Sequence, residues 1–189
     1  MKKVLYLIMF VFLCFFNDVR AEETLILLDS SLSMNEDFYG KPKYIAAVDE
    51  AKKVLLTLDS SRKIGLRTIG IKLNESILNY IKDFNLMCKA TQLDVPIRQN
   101  NIQYINASLN DVIPLGTTPI EYSLRTAINS DFSYGSHLKH IILITDGAES
   151  CNADPCKFIR EVMVGRKDIR IDVLAISVTN EDFQQLKCL

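Results

Sequence analysis

Three short stretches of the chain place oxygen donors at spacings that a surface loop does not require. Leu25-Ile26-Leu27-Leu28 runs straight into Asp29, Ser31 and Ser33, and His140 to Thr145 (HIILIT) runs straight into Asp146-Gly147. Between them lies Gly116-Thr117-Thr118-Pro119, a turn that carries hydroxyls. If they converge, the carboxylates of Asp29 and Asp146 and the hydroxyls of Ser31, Ser33 and Thr118 make a hard-cation site. Mg2+ suits such a set because it prefers oxygen ligands in octahedral geometry and keeps several waters.

Convergence depends on the elements that carry these residues. Thr24 to Leu28 and His140 to Thr145 are continuous apolar runs, the mark of strands covered on both faces of a parallel sheet. From Pro42 to Leu58 the apolar positions Ile45, Val48, Val54, Leu55 and Leu58 form the stripe of an amphipathic helix. Ile64 to Leu73 reads as a strand, with Thr91 to Ile97 antiparallel beside it. Ile102–Val112, Pro119–Ile128 and Pro155–Val164 read as helices, and Ile169–Val178 as a further strand. Strands alternating with helices imply a doubly wound α/β sheet, in which ligands gather beyond the carboxyl ends of the strands. All three stretches belong to that edge.

The pattern Asp-x-Ser-x-Ser, Gly-x-Thr-Pro and Thr-Asp-Gly resembles the metal-ion-dependent adhesion site of von Willebrand factor type A (VWA) domains. Asp29, Ser31, Ser33, Thr118 and Asp146 fill all five positions, and the resemblance covers about Glu22 to Cys188. It implies a Rossmann-like fold, with one antiparallel strand in a mostly parallel sheet and helices on both faces. It also implies a cation, Mg2+ with Mn2+ or Ca2+ as alternatives, bound directly by Ser31, Ser33 and Thr118. Asp29 and Asp146 would then act mainly through bound waters. A protein partner would offer an acidic residue to the open metal position. Loops Asn35–Lys41, Asn74–Lys89 and Ser150–Pro155 would choose that partner.

Simpler roles compete for the same residues. Asp29 could cap a turn while Ser31 and Ser33 satisfy loop backbone, but the presence of Thr118 and Asp146 favours the metal reading. Glu36 and Asp37 read as solvated acids, Glu149 as an exposed acid with contact to the metal's water shell as the alternative, and His137 and His140 as structural. A metal-dependent hydrolase with Asp29 as nucleophile is the alternative function, and a scaffold with a purely structural metal is another. The chain has no Gly-rich phosphate loop with Lys, no HExxH and no convincing Ser-His-Asp order. A binding module without catalysis is expected.

Lys2 and Lys3, the apolar run Val4–Phe16 and the segment ending at Ala21 read as a signal peptide over residues 1–21. The run falls short of the ~20 residues of a membrane-spanning helix. Cleavage would leave residues 22–189 as one exported, periplasmic or extracellular domain, and would move the formal charge from −1 to −3. No later segment suggests a membrane span or a nucleic-acid surface. Four cysteines remain, Cys88, Cys151, Cys156 and Cys188, an even number that favours disulfides in an exported chain. A local Cys151–Cys156 bond would staple the loop beside Asp146 and leave Cys88 for Cys188, although the sequence allows three connectivities. Asn74-Glu75-Ser76 and Asn106-Ala107-Ser108 match glycosylation sequons. A domain of the resembled type usually adds a helix and an edge strand after Ile169–Val178, so the C-terminal edge strand is expected to be missing and that strand open to pairing.

Overall fold

A computed structural model describes residues 22–59, 61–71, 82–134 and 138–189. The expected signal peptide, the sequon at Asn74, His137 and residues 74–81 of the expected Asn74–Lys89 loop lie outside the described residues.

The chain forms β1 (Glu23–Asp29), a small ribbon of β2 (Asp37–Phe38) and β3 (Lys41–Pro42), α1 (Lys43–Thr57) and β4 (Lys63–Ile69). A single helical turn, α2 (Phe84–Met87), leads to β5 (Thr91–Arg98), α3 (Ile102–Asn110) and α4 (Ile120–Thr126). The last helix passes into a π-helical turn at Ala127–Asp131, where Asp131 receives two hydrogen bonds from buried Arg67, at 2.6 and 2.7 Å. Then come β6 (Lys139–Thr145), α5 (Pro155–Met163), β7 (Ile169–Ala175) and α6 (Asn180–Leu186).

Every residue of β1 and of β6 is buried. Side chains alternate across a strand, so such burial requires cover on both faces, and the core divides accordingly. Ile26, Leu28, Ile142 and Ile144 pack with Ala47, Val48, Ala51 and Leu55 of α1 and with Ile105 and Leu109 of α3. Leu25, Leu27, Ile141 and Leu143 pack on the opposite face with Ile120 and Leu124 of α4, Phe158 and Ile159 of α5, and Leu186 of α6. The sheet is therefore doubly wound. Its order is β5-β4-β1-β6-β7, with β5 antiparallel to β4 and the other neighbouring pairs parallel.

One boundary beside the site differs from the sequence reading. The strand expected over Ile64–Leu73 ends at Ile69, because Gly70 turns the chain at φ +114°. A Cβ there would lie 2.6 Å from the Ser30 carbonyl oxygen and 2.7 Å from that of Leu115, so glycine permits the close approach of three loops. After β7 the chain does form a helix, α6, opened by a capping box between Thr179 and Asp182. No strand follows it among the described residues, and β7 stands at the sheet edge.

Strand order also locates a crevice. From β1 the chain moves outward to β4 and β5, then returns to the other side of β1 as β6. The β1–β6 register pairs Leu28 with Ile144, which brings Asp29 and Thr145 level at the carboxyl end of both strands. That reversal point is where open α/β sheets hold ligands.

Candidate metal centre

Asp29 is fully buried, and both of its oxygens are engaged. Oδ1 accepts a hydrogen bond from the Ser31 backbone N–H at 2.8 Å, and Oδ2 accepts one from Thr145 Oγ1 at 2.5 Å. Burial pushes its carboxyl up to about 6; the hydrogen bonds from Thr145 and Ser31 oppose that rise, and the nearby Asp146 charge adds to it.

Ser31 Oγ lies 3.1 Å from Ser33 Oγ, and Ser33 Oγ donates to Asp146 Oδ1 at 2.9 Å. A polar chain thus joins the loop after β1 to the loop after β6. Thr118 is buried on a third loop. That loop is tied to the first by Leu32 N–H to the Gly116 carbonyl at 3.0 Å and by Leu115 N–H to the Ser30 carbonyl at 2.7 Å. It is tied to the second by Thr118 N–H to Ser150 Oγ at 2.7 Å. The three stretches converge as their spacing suggests.

The donor chemistry fits a hard divalent cation. Two carboxylates and three hydroxyls stand on backbone segments that hydrogen bonds hold in place, and no His or Cys is involved. Among the described residues no group of three or more His, Cys, Asp or Glu side chains forms a metal-binding cluster. A cation held here would rest on mixed carboxylate and hydroxyl oxygens.

Lys43 is the residue that sequence reasoning missed. Its Nζ donates to Asp146 Oδ2 at 2.9 Å and to Glu36 Oε2 at 2.6 Å. Burial alone would lower its basicity, but the hydrogen bonds and charges of Glu36 and Asp146 outweigh burial and raise it. A signal was available: Lys43 opens α1, where the positive end of the helix dipole disfavours a cation unless acids face it. Thr145, which orients Asp29, was also missed; a hydroxyl at the last position of an apolar strand is what marks it.

Two expectations need correction, on Glu149 and on the cysteines. Glu149 is not solvated: it is half-buried and accepts from the Glu121 backbone N–H at 2.9 Å and from that of Cys151 at 2.8 Å. It thus caps the start of α4, and burial raises its carboxyl above the ordinary range against those hydrogen bonds. Glu36 is exposed as expected but pairs with Lys43. The disulfides join Cys88 to Cys151 and Cys156 to Cys188, each pair with Cα atoms 5.5 Å apart, in place of the expected Cys151–Cys156 and Cys88–Cys188 pairs. The intervening loop turns at Asn152 (φ +57°), and Asp154 caps α5 by accepting from Lys157 N–H at 2.8 Å. Cys156 is thereby carried into α5, opposite the end of α6, while Cys151 faces Cys88 at the end of α2. His140 is structural as expected, with Nε2 2.8 Å from Asp172 Oδ2 at the far end of the sheet.

The central sheet, its order and its covering helices define a VWA-like fold. No protein-family model matches the chain. It is 28% identical over 150 residues to the uncharacterized protein YwmC of Bacillus subtilis (strain 168), a match covering 79% of this chain and 63% of YwmC. The uncharacterized protein YwmD of the same strain is 24% identical over 163 residues, covering 86% of this chain and 71% of YwmD. The chain therefore spans less than two thirds of YwmC. Among solved structures, proximal thread matrix protein 1 from the mussel byssus, with a zinc-occupied MIDAS motif, aligns with a TM-score of 0.63 at 15% identity. That alignment covers 87% of this chain and 41% of the byssus chain. Manganese-loaded TRAP protein of Plasmodium vivax aligns with a TM-score of 0.62 at 17% identity, over 88% of this chain and 62% of TRAP. The SpRpn10 VWA domain gives 0.62 at 12% identity, over 89% of this chain and 82% of that domain.

Proposed function

We propose that the chain is an exported binding module that engages an acidic residue of a protein partner through a divalent cation, Mg2+ in the first instance. Asp29, Ser31, Ser33, Thr118 and Asp146 hold that cation. The observation that carries this reading is the polar chain Ser31–Ser33–Asp146 beside buried Asp29, at the reversal point of the sheet. The zinc-occupied MIDAS motif of the byssus protein supports a divalent ion at this place, and manganese-loaded TRAP is a further metal-bearing protein of similar fold. When bound, the ion supplies an electrophilic position that a carboxylate from outside fills.

The chain's own residues divide the work. Asp29 and Thr145 fix the start of the loop, and Ser31 and Ser33 present hydroxyls toward Asp146. The hydrogen bonds of Thr118 to Ser150 hold the third loop at the site. Leu32 sits between the two serines with its side chain exposed, and Tyr39, at the tip of the β2–β3 ribbon, is 92% exposed. Exposed apolar and aromatic side chains on the site loop and on the ribbon offer a partner area to bury. Catalysis by Asp29 is disfavoured because both oxygens are engaged and the side chain is fully buried. The cysteine pairs and the apolar N-terminal run are the support for export.

A pull-down with the purified chain in Mg2+ and in EDTA tests the proposal. A partner retained in Mg2+ and released by EDTA supports it. A partner retained equally in both would favour a scaffold whose metal is structural.

A further inference from the structure

The pairing of Lys43 goes beyond a metal-binding role for the five residues named above. Asp146 has one oxygen taken by Ser33 and the other by Lys43, so an ion that approaches it, directly or through water, meets an ammonium already in place. The Lys43 side chain is only 10% exposed, and that of Asp146 only 1%. In so sheltered a place an ammonium and a divalent ion repel strongly. Lys43 also holds a second acceptor, Glu36, at the same time as Asp146. Its second partner, Glu36, has a side chain 66% exposed and lies on the loop entering the β2–β3 ribbon. A four-carbon stem can follow Glu36 outward without moving α1.

We propose that Lys43 is a built-in counter-cation of the site: it neutralises Asp146 in the metal-free protein and swings toward Glu36 when a divalent ion enters. This rests on the metal-site reading given above. Metal loading then exchanges one cation for another at Asp146, which weakens affinity and makes loading conditional on free metal concentration. It also shifts a charge toward the ribbon that carries Tyr39. Ribbon and α1 are joined at that point by the Lys43 backbone N–H to the Glu36 carbonyl at 3.0 Å. The state of the ion is thereby passed to a surface available to a partner.

The test is Mn2+ binding, followed by electron paramagnetic resonance, to the wild-type chain, Lys43→Met and Lys43→Arg. Methionine keeps an unbranched apolar stem one atom shorter than lysine and removes the charge, whereas arginine keeps the charge. The expected result is binding at least tenfold tighter in Lys43→Met than in wild type, with Lys43→Arg no tighter than wild type. Equal or weaker binding by Lys43→Met, when wild type binds, overturns the counter-cation and leaves the metal site standing. No binding by wild type or by Lys43→Met overturns both. If Lys43→Met does not fold, reductive methylation of wild type mapped by mass spectrometry decides. Lys43 should be protected in EDTA and labelled several-fold faster in saturating Mg2+, and unchanged protection overturns the proposal.

Discussion

Lys43 Nζ stands 2.9 Å from Asp146 Oδ2, across 103 positions of sequence, and joins the start of α1 to the end of β6. The contact puts an ammonium of the chain itself at the mouth of the β1–β6 crevice. It also changes what each acid at the site contributes to stability.

Asp146→Ala illustrates the change. Repulsion between Asp29 and Asp146 alone would make the metal-free variant more stable. The Lys43 pair reverses the sign, because a sheltered ammonium is left with Glu36 as its one charged partner. Losing a hydrogen bond to a charged group of this kind costs about 1–3 kcal/mol. Urea unfolding in EDTA should show Asp146→Ala less stable than wild type by that amount, while Asp146→Ala with Lys43→Met should recover part of the loss. A variant as stable as wild type would mean that the pair contributes nothing.

The pH dependence follows from Asp29, whose carboxyl burial lifts to about 6 from an ordinary 3.8. A carboxyl raised on folding contributes stability that is fully present below 3.8 and lost as pH rises through about 6. Metal binding runs the other way, since the ion favours the ionised form. Between pH 7 and pH 5 affinity for Mn2+ should fall about tenfold, as a single proton competes with the ion. Titrations at the two pH values check this, and equal affinities would show that Asp29 does not couple to the ion.

The two disulfides should separate in their effects. Closing a loop of 63 residues, Cys88–Cys151 stabilises the fold by about 4 kcal/mol in the chain-entropy model, and the 32-residue loop of Cys156–Cys188 by nearly as much. Only the first lies against the site. Cys151 Sγ is 3.5 Å from Thr117 Oγ1, which itself donates to the Met87 carbonyl at 2.9 Å. The double substitution Cys88→Ser with Cys151→Ser should lower stability and weaken Mn2+ binding several-fold by loosening the Thr118 loop. Cys156→Ser with Cys188→Ser should lower stability alone. Peptide mapping without reductant should recover the same two pairs.

Much of this architecture is visible in the chain because its signals are local. Leu25–Leu28 and His140–Thr145 are apolar without alternation, which is the pattern of central parallel strands, and each hands its site residues to the same edge. Proline and the apolar stripe mark α1. The features that escaped are those decided by three-dimensional neighbours. The cysteine partners depend on which helix ends meet, and the short spacing of Cys151 and Cys156 says nothing of α2 or α6. Glu149 looks like a loop acid until α4 begins beside it. Lys43 looks like a surface lysine until the ribbon folds Glu36 back over the crevice. Charges were the poorest guide because their partners are distant in sequence, whereas backbone periodicity was the best.

Asp29, Ser31, Ser33, Thr118 and Asp146 are proposed together to hold a divalent cation. Mn2+ titration of the wild-type chain and of Asp146→Ala, at pH 7 and followed by electron paramagnetic resonance, tests it most directly. The account predicts one ion bound per wild-type chain, displaced by Mg2+, and no binding at that site in Asp146→Ala, with the circular dichroism spectrum unchanged. Equal Mn2+ binding by the two proteins would contradict the account and place the ion elsewhere on the chain.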